Sequence, residues 1–141
     1  MKIYLVLLLS FMPLVAFSAQ ANYPDVCAKI EATIENNTFT LSTTELGIDP
    51  KQIIREQTQV KVLAINPVTP LLIKQYADAA DANMRDIYFS IYREGNPLVM
   101  VVQYTYVNAK KQENVFISSA VVNDEECSVS FDKYLTVKRE F

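Results

Sequence analysis

The chain of 141 residues is half hydrophobic, and its 13 Lys and Arg against 16 Asp and Glu give a formal net charge of −3. This balance argues against nucleic acid as a partner, because phosphate binding normally requires a basic patch or stripe. The length suits one domain with a single core. We therefore expect one globular domain that does not bind nucleic acid.

The chain lacks the residues on which the commonest active sites are built. It contains no histidine, which excludes Ser-His-Asp and Cys-His catalysis and the ordinary His-bearing zinc sites. Gly47 and Gly95 are its only glycines, so neither glycine-rich fingerprint for nucleotide phosphates can be built. We expect no catalytic residues, no cofactor and no metal, and thus a protein that is not an enzyme. Carboxylate, tyrosine or Ser-Lys chemistry is the remaining enzymatic alternative.

The first residues follow the order of a secretory signal, with a charge, an apolar run and small residues at the cleavage site. Lys2 precedes an apolar run of about 15 residues that Pro13 interrupts, whereas a membrane-spanning helix needs about 20. An A-x-A site predicts cleavage after Ala21, with cleavage two residues earlier as the near alternative. We therefore expect a signal peptide over 1–21, a single α+β domain over 22–141, and no stable membrane insertion after cleavage.

Export would place the two cysteines in an oxidising compartment, where a pair most simply forms a structural disulfide. Cys27 and Cys127 offer one intramolecular connectivity. A redox-active pair usually needs the C-x-x-C spacing, which is absent here. We predict a Cys27–Cys127 disulfide and a periplasmic location, with secretion from the cell as the alternative.

The first predicted element is a helix that begins near Pro24, a residue suited to a first helical position. Apolar residues then follow at three- and four-residue spacing, which places Cys27 on the core side and ends the helix near Asn37. Phe39 and Leu41 alternate with polar residues, which predicts a short edge strand or an extended link.

Two further helices are predicted from their start signals. Asp49-Pro50 resembles an N-cap with proline at the first helical position and opens a helix through about Gln57. Thr69-Pro70 opens another helix in the same way. Between them, residues 58–65 alternate as in a strand, with continuation of the preceding helix as the rival interpretation.

From Ile87 onward the apolar period changes to two. Residues 87–94 and 98–107 flank Gly95-Asn96, two residues that suit a type II′ hairpin turn. Strands over 115–122 and 128–137 continue the meander. The prediction is an α+β fold: a four- or five-stranded antiparallel meander sheet with two or three helices packed on one face, stapled by one disulfide.

One face of the predicted hairpin is more apolar and aromatic than a solvated face needs to be. Tyrosine is enriched at interfaces, so this face and the following acidic turn form a candidate partner surface. Its residues are Tyr88, Tyr92, Val99, Val101, Gln103, Asp124, Glu125 and Glu126. The interpretation that we favour for the apolar part is that a loop or the Phe39 segment covers it.

Three functional classes remain. The first is an exported, non-catalytic protein-binding module, with a periplasmic inhibitor or immunity protein that neutralises a toxin or lytic enzyme as the best hypothesis. An acidic inhibitor commonly covers a basic active site, which implicates the acidic turn. The second is an envelope-assembly or secreted structural factor, whose partner is an envelope component or a second copy in a homodimer. The third is a small carboxylate-based enzyme.

Overall fold

The structure is a computed structural model that describes residues 25–79, 83–127 and 129–141, without the side chains of Tyr88 and Asp132. The predicted signal peptide lies outside the described residues. No helix in those three ranges has the length and apolar character needed to cross a membrane.

The described residues form four helices and four strands. The helices are α1 Asp25–Ala28, α2 Thr33–Leu46, α3 Pro70–Ala79 and α4 Arg85–Ile91, and the strands are β1 Gln59–Pro67, β2 Leu98–Val107, β3 Glu113–Val122 and β4 Ser130–Lys138. All strand pairs are antiparallel, in the order β1-β2-β3-β4. The predicted α+β meander with one disulfide is therefore confirmed.

The sheet has two faces that carry different cores. On the inner face, alternate residues of β2 from Met100 to Tyr106 are fully buried and pack in one cluster with Cys27 and Ile34 of α1 and α2. On the outer face, Val99 and Val121 pack beneath the α3–α4 pair. Successive residues of a strand point to opposite faces, so the α1–α2 and α3–α4 pairs lie on opposite sides of the sheet. The prediction that the helices pack on one face is wrong in this detail.

Helix α2 includes Phe39 and Leu41, and the predicted edge strand or extended link is therefore wrong. The intervening hydroxyls made this segment look alternating, but they bond within the helix. The Thr38 hydroxyl donates to the Ile34 carbonyl at 2.8 Å, and the Ser42 hydroxyl donates to the Phe39 carbonyl at 3.3 Å. Gly47 then ends the helix in the left-handed conformation, with a φ of 64°, which glycine adopts without strain.

The second predicted helix is replaced by two single 3-10 turns, Pro50–Gln52 and Arg55–Gln57. Asp49 caps the first turn as expected, because its carboxylate accepts a hydrogen bond from the Lys51 amide at 3.0 Å. Between the turns, Ile53 pairs with Asn108 in an isolated bridge, and this pairing interrupts the helix. The strand interpretation of residues 58–65 is correct, since β1 occupies them.

The start of α3 at Pro70 is confirmed, and the Thr69 hydroxyl accepts from the Leu72 amide at 3.2 Å. The predicted strand over 87–94 and its hairpin with 98–107 are wrong, because α4 occupies this segment. Strand β2 already pairs with β1 on one edge and β3 on the other, so no edge is left for a further strand.

The disulfide joins Cys27 in α1 to Cys127 in the loop before β4 and spans 100 residues of sequence. We expect the Cys27→Ser/Cys127→Ser variant to lose about 2–5 kcal/mol of unfolding free energy, because the cross-link restricts the unfolded chain. Urea titrations of the oxidised protein and the variant measure this loss. Reduced wild-type protein is the control and should match the variant. Equal midpoints for oxidised and reduced protein would contradict a stabilising bridge.

Candidate partner-binding surface

The predicted partner surface is divided among three places in the fold. Tyr92 is only 4% exposed and stacks on Tyr76 of α3, with ring centroids 4.9 Å apart, so its prediction as a surface residue is wrong. The side chain of Tyr88 lies outside what the structure describes. Val99 is covered by the α3–α4 pair. The apolar part of this face is therefore covered, as we favoured, but by two helices and not by the Phe39 segment.

The other predicted residues are accessible. Val101 and Gln103 are half-buried on the part of the outer face beyond α3 and α4. Asp124, Glu125 and Glu126 are exposed in the turn between β3 and β4. Exposed Glu94, which follows α4, was missed by the sequence interpretation and lies beside this turn. We call these four carboxylates, Glu94, Asp124, Glu125 and Glu126, the acidic tip.

Asn123 organises the turn of the acidic tip. Its side-chain oxygen accepts hydrogen bonds from the backbone amides of Glu125 and Glu126, at 3.0 and 2.7 Å. The backbone amide of Asn123 donates to the Glu126 carbonyl. An asparagine that bonds amides further along the chain is a common way to hold a turn. The turn is thus held by the residue that directly precedes the three acids.

A second turn is bonded to the first. The Asp124 amide donates to the Gly95 carbonyl at 2.8 Å, and the Asn96 side-chain amide donates to the Asp124 carboxylate at 2.7 Å. Gly95 has a φ of 65°, and a Cβ there would lie 3.3 Å from the Asn123 side chain. Only glycine meets both conditions without strain, so this position fixes the approach of the two turns.

Between the two turns lies a cavity of about 260 Å³, lined by Ile91, Glu94, Gly95, Asn123, Glu125, Glu126 and Val129. Among these described lining residues three are acidic and none is basic. Ile91 and Val129 add an apolar portion to the lining. Carboxylates beside apolar carbon match a lysine or arginine side chain, which has an aliphatic stem and a cationic end.

The most deeply buried charged group lies elsewhere, on the inner face. Glu35 of α2 is fully buried and paired with Arg55, which donates to both of its carboxylate oxygens. The Tyr106 hydroxyl donates to one oxygen at 3.1 Å, and the Glu31 amide to the other at 2.9 Å. The sequence does not reveal this network, because a single glutamate in a helix gives no signal of its burial.

The network has the properties of a structural group. The Arg55 guanidinium lies 4.5 Å from the centroid of the Phe39 ring, and its pairing with Glu35 raises its pKa. Burial, aided by the charge of Glu35, raises the pKa of Tyr106 far above its ordinary value. With both carboxylate oxygens occupied by donors, Glu35 has no open position for a substrate.

No metal centre is evident in the described part of the chain. Within residues 25–79, 83–127 and 129–141, no group of three or more His, Cys, Asp or Glu side chains is arranged to hold a metal ion.

The chain matches no family model, no curated protein and no solved structure.

We expect Arg55→Met to lower the free energy of unfolding by about 3–5 kcal/mol, because it leaves the buried Glu35 carboxylate without its counter-charge. Urea titration measures the change. Lys138→Met is the matched control and should have little effect, because Lys138 pairs with the exposed acids Glu113 and Glu140. Equal losses of unfolding free energy in the two variants would show that the buried pair stabilises the fold no more than an exposed pair does.

We also expect stability to fall as the pH rises above about 10. Burial is the first cause that raises the pKa of Tyr104 and Tyr106 above the ordinary value of 10.0, and it raises that of Tyr134 to about 12. The unfolded chain then releases tyrosine protons that the folded chain keeps, so stability present below pH 10 is lost as the pH rises toward the folded pKa values. Urea titrations at about pH 8, 10 and 11 measure this loss as a falling midpoint. The loss should begin near pH 10, the ordinary pKa of a tyrosine in an unfolded chain. A constant midpoint would contradict it.

Proposed function

We propose that this chain is an exported, non-catalytic protein-binding module, and that it neutralises a toxin or lytic enzyme by covering a basic site with the acidic tip. The observation that carries the proposal is the cavity between the two turns, in which Glu94, Glu125 and Glu126 stand beside apolar carbon. A basic side chain of the partner would enter this cavity.

The hydrogen bonds of the acidic tip support its use as a binding surface. Asn123 holds the turn, and Gly95 and Asn96 hold it from the other side. Cys127, which directly follows Glu126, is cross-linked to α1. Because the carboxylates project from a preorganised loop, ordering them on binding costs less conformational entropy than in a free loop.

The charge of the acidic tip supports a basic partner. Opposite charges at the edge of an interface chiefly accelerate association and select the partner. The Debye length is about 10 Å at 0.1 M salt and about 3 Å at 1 M, so added salt should slow association. A salt-dependent association rate is therefore part of the proposal.

The chemistry of the remaining carboxylates supports a non-catalytic role. Glu35 is saturated by its donors and has no solvent-exposed surface. The chain has no histidine that could serve as a base near the acidic tip. The proposed effect on an enzyme or toxin is therefore obstruction of its active site.

The first test is affinity capture from an envelope extract with the oxidised protein as bait. We expect one stoichiometric protein to be retained by wild type and lost with Asp124→Asn/Glu125→Gln/Glu126→Gln, because the variant removes three charges and keeps Asn123. The purified captured protein should lose its activity when mixed with an equimolar amount of wild type, and should associate about tenfold more slowly with the variant.

The matched control removes three exposed charges elsewhere, with Asp25→Asn/Glu56→Gln/Asp86→Asn, and should bind as wild type does. Equal capture by the tip variant would show that another surface makes the contact. A captured partner that keeps full activity would contradict the inhibitor role, and the absence of any captured protein would contradict the binding module.

A further inference from the structure

The part of the outer face that α3 and α4 leave open is a surface of mixed apolar and basic character. Two rows of residues cross all four strands there. In strand order, the rows are Lys61-Gln103-Ile117-Leu135 and Ala64-Val101-Ser119-Lys133. We call these eight residues the open outer face.

Apolar side chains are unusually accessible at the β4 side of this surface. Leu135 is 64% exposed, and Val137, next but one along β4, is 54% exposed. Ile117 and Val101 continue the apolar surface inward and are half-buried. On the same sheet face, Val99 and Val121 are covered by α3 and α4. The apolar surface therefore continues from a covered region into an uncovered one.

The charges of the open outer face are of one sign. Lys61 lies on edge strand β1 and Lys133 on edge strand β4, three strand spacings or about 14 Å across the sheet and two residues or about 7 Å along it, which places their backbones about 16 Å apart. Neither forms a salt bridge with a described side chain. None of the eight positions carries a carboxylate. A matching surface would place carboxylates at both margins of an apolar centre.

A second copy of the chain does not supply such a surface. An isologous dimer places the same patch on both sides of the interface. It would therefore bring four lysines and no carboxylate from these positions together. Burying a charge without a partner is costly, so the charges disfavour self-association through this face.

The shape of the open outer face favours a protein over a lipid bilayer. Peripheral membrane binding requires apolar side chains that enter the bilayer by about 5–10 Å, usually with several basic residues beside them. Here the central side chains Val101 and Ile117 are half-buried within the sheet surface, and only two lysines flank them. Half-buried apolar side chains with few flanking charges fit the apolar contact region of another protein.

We propose that the open outer face is a second docking surface, for a protein whose apolar contact region is bordered by Asp or Glu residues about 16 Å apart, matching Lys61 and Lys133. This goes beyond the proposed function and does not depend on it, because the acidic tip would select the opposite charge. The two surfaces would let the chain contact two partners of different chemistry.

The test uses a phage-displayed library of random dodecapeptides as the probe. The bait is the oxidised protein, expressed from the 141-residue sequence and carrying Asp124→Asn/Glu125→Gln/Glu126→Gln, so that ligands of the acidic tip are not selected. We expect enriched peptides to combine Asp or Glu with large apolar residues. Synthetic copies should lose about tenfold in affinity on Lys61→Glu/Lys133→Glu and on Leu135→Asp, measured by calorimetry.

The matched control is Lys51→Glu/Lys110→Glu, which reverses two exposed charges outside the open outer face and should leave peptide affinity unchanged. Circular dichroism establishes that each variant is folded; if Leu135→Asp is not, the lysine pair alone decides. Failure to enrich acidic-apolar peptides, or affinities that the lysine reversal does not change, would overturn the proposal.

Two further outcomes would also overturn it. Co-sedimentation with phosphatidylglycerol vesicles that is lost on Lys61→Glu/Lys133→Glu would assign the face to an anionic membrane. A dimer of the wild-type protein that Leu135→Asp dissociates, observed by analytical ultracentrifugation, would assign it to a second copy of the chain.

Discussion

The Cys27–Cys127 disulfide is the constraint on which the arrangement of the N-terminal segment depends. Every strand of the meander pairs with its neighbour in sequence, so the order of the strands in the sheet follows their order in the chain. Helix α1 has only four residues, far fewer than an independently stable helix needs. The bridge attaches α1 to the loop before β4 and places Cys27 in the inner core. The same bond anchors the chain directly after the acidic tip.

The second constraint is the buried charge of Glu35, which connects α2 to the sheet and to the segment before β1. A buried carboxylate is tolerated only when its charge and hydrogen bonds are satisfied. Arg55, Tyr106 and the Glu31 amide meet that need from three different parts of the chain. Helix α2 packs on β3 and β4, and its Thr38 hydroxyl is hydrogen-bonded to the Ser118 hydroxyl of β3 at 2.6 Å. The polar network and the aromatic core thus hold α2 against the same face of the sheet.

The chain has a formal net charge of −3 but carries two local surfaces whose charges are of opposite sign. Four carboxylates stand together at the acidic tip, and the open outer face presents Lys61 and Lys133 around apolar side chains. The tip is held by hydrogen bonds between loops, whereas the outer face is held by the strand pairing itself. Both surfaces are therefore preorganised, which favours recognition of other molecules at low entropic cost.

The sequence by itself determined the disulfide, the Asp49 and Thr69 caps, and the strands of the meander from β2 onward, because pairing chemistry, caps and a period of two are local signals. Only the tertiary structure decided residues 87–94, whose tyrosines and isoleucines suit either a strand or a helix. Strand β1 occupies the edge of β2 that this segment would have used, so it forms α4 and buries Tyr92. The acidic tip was predicted only in part, because the contact that brings Glu94 to the acidic turn joins residues far apart in sequence.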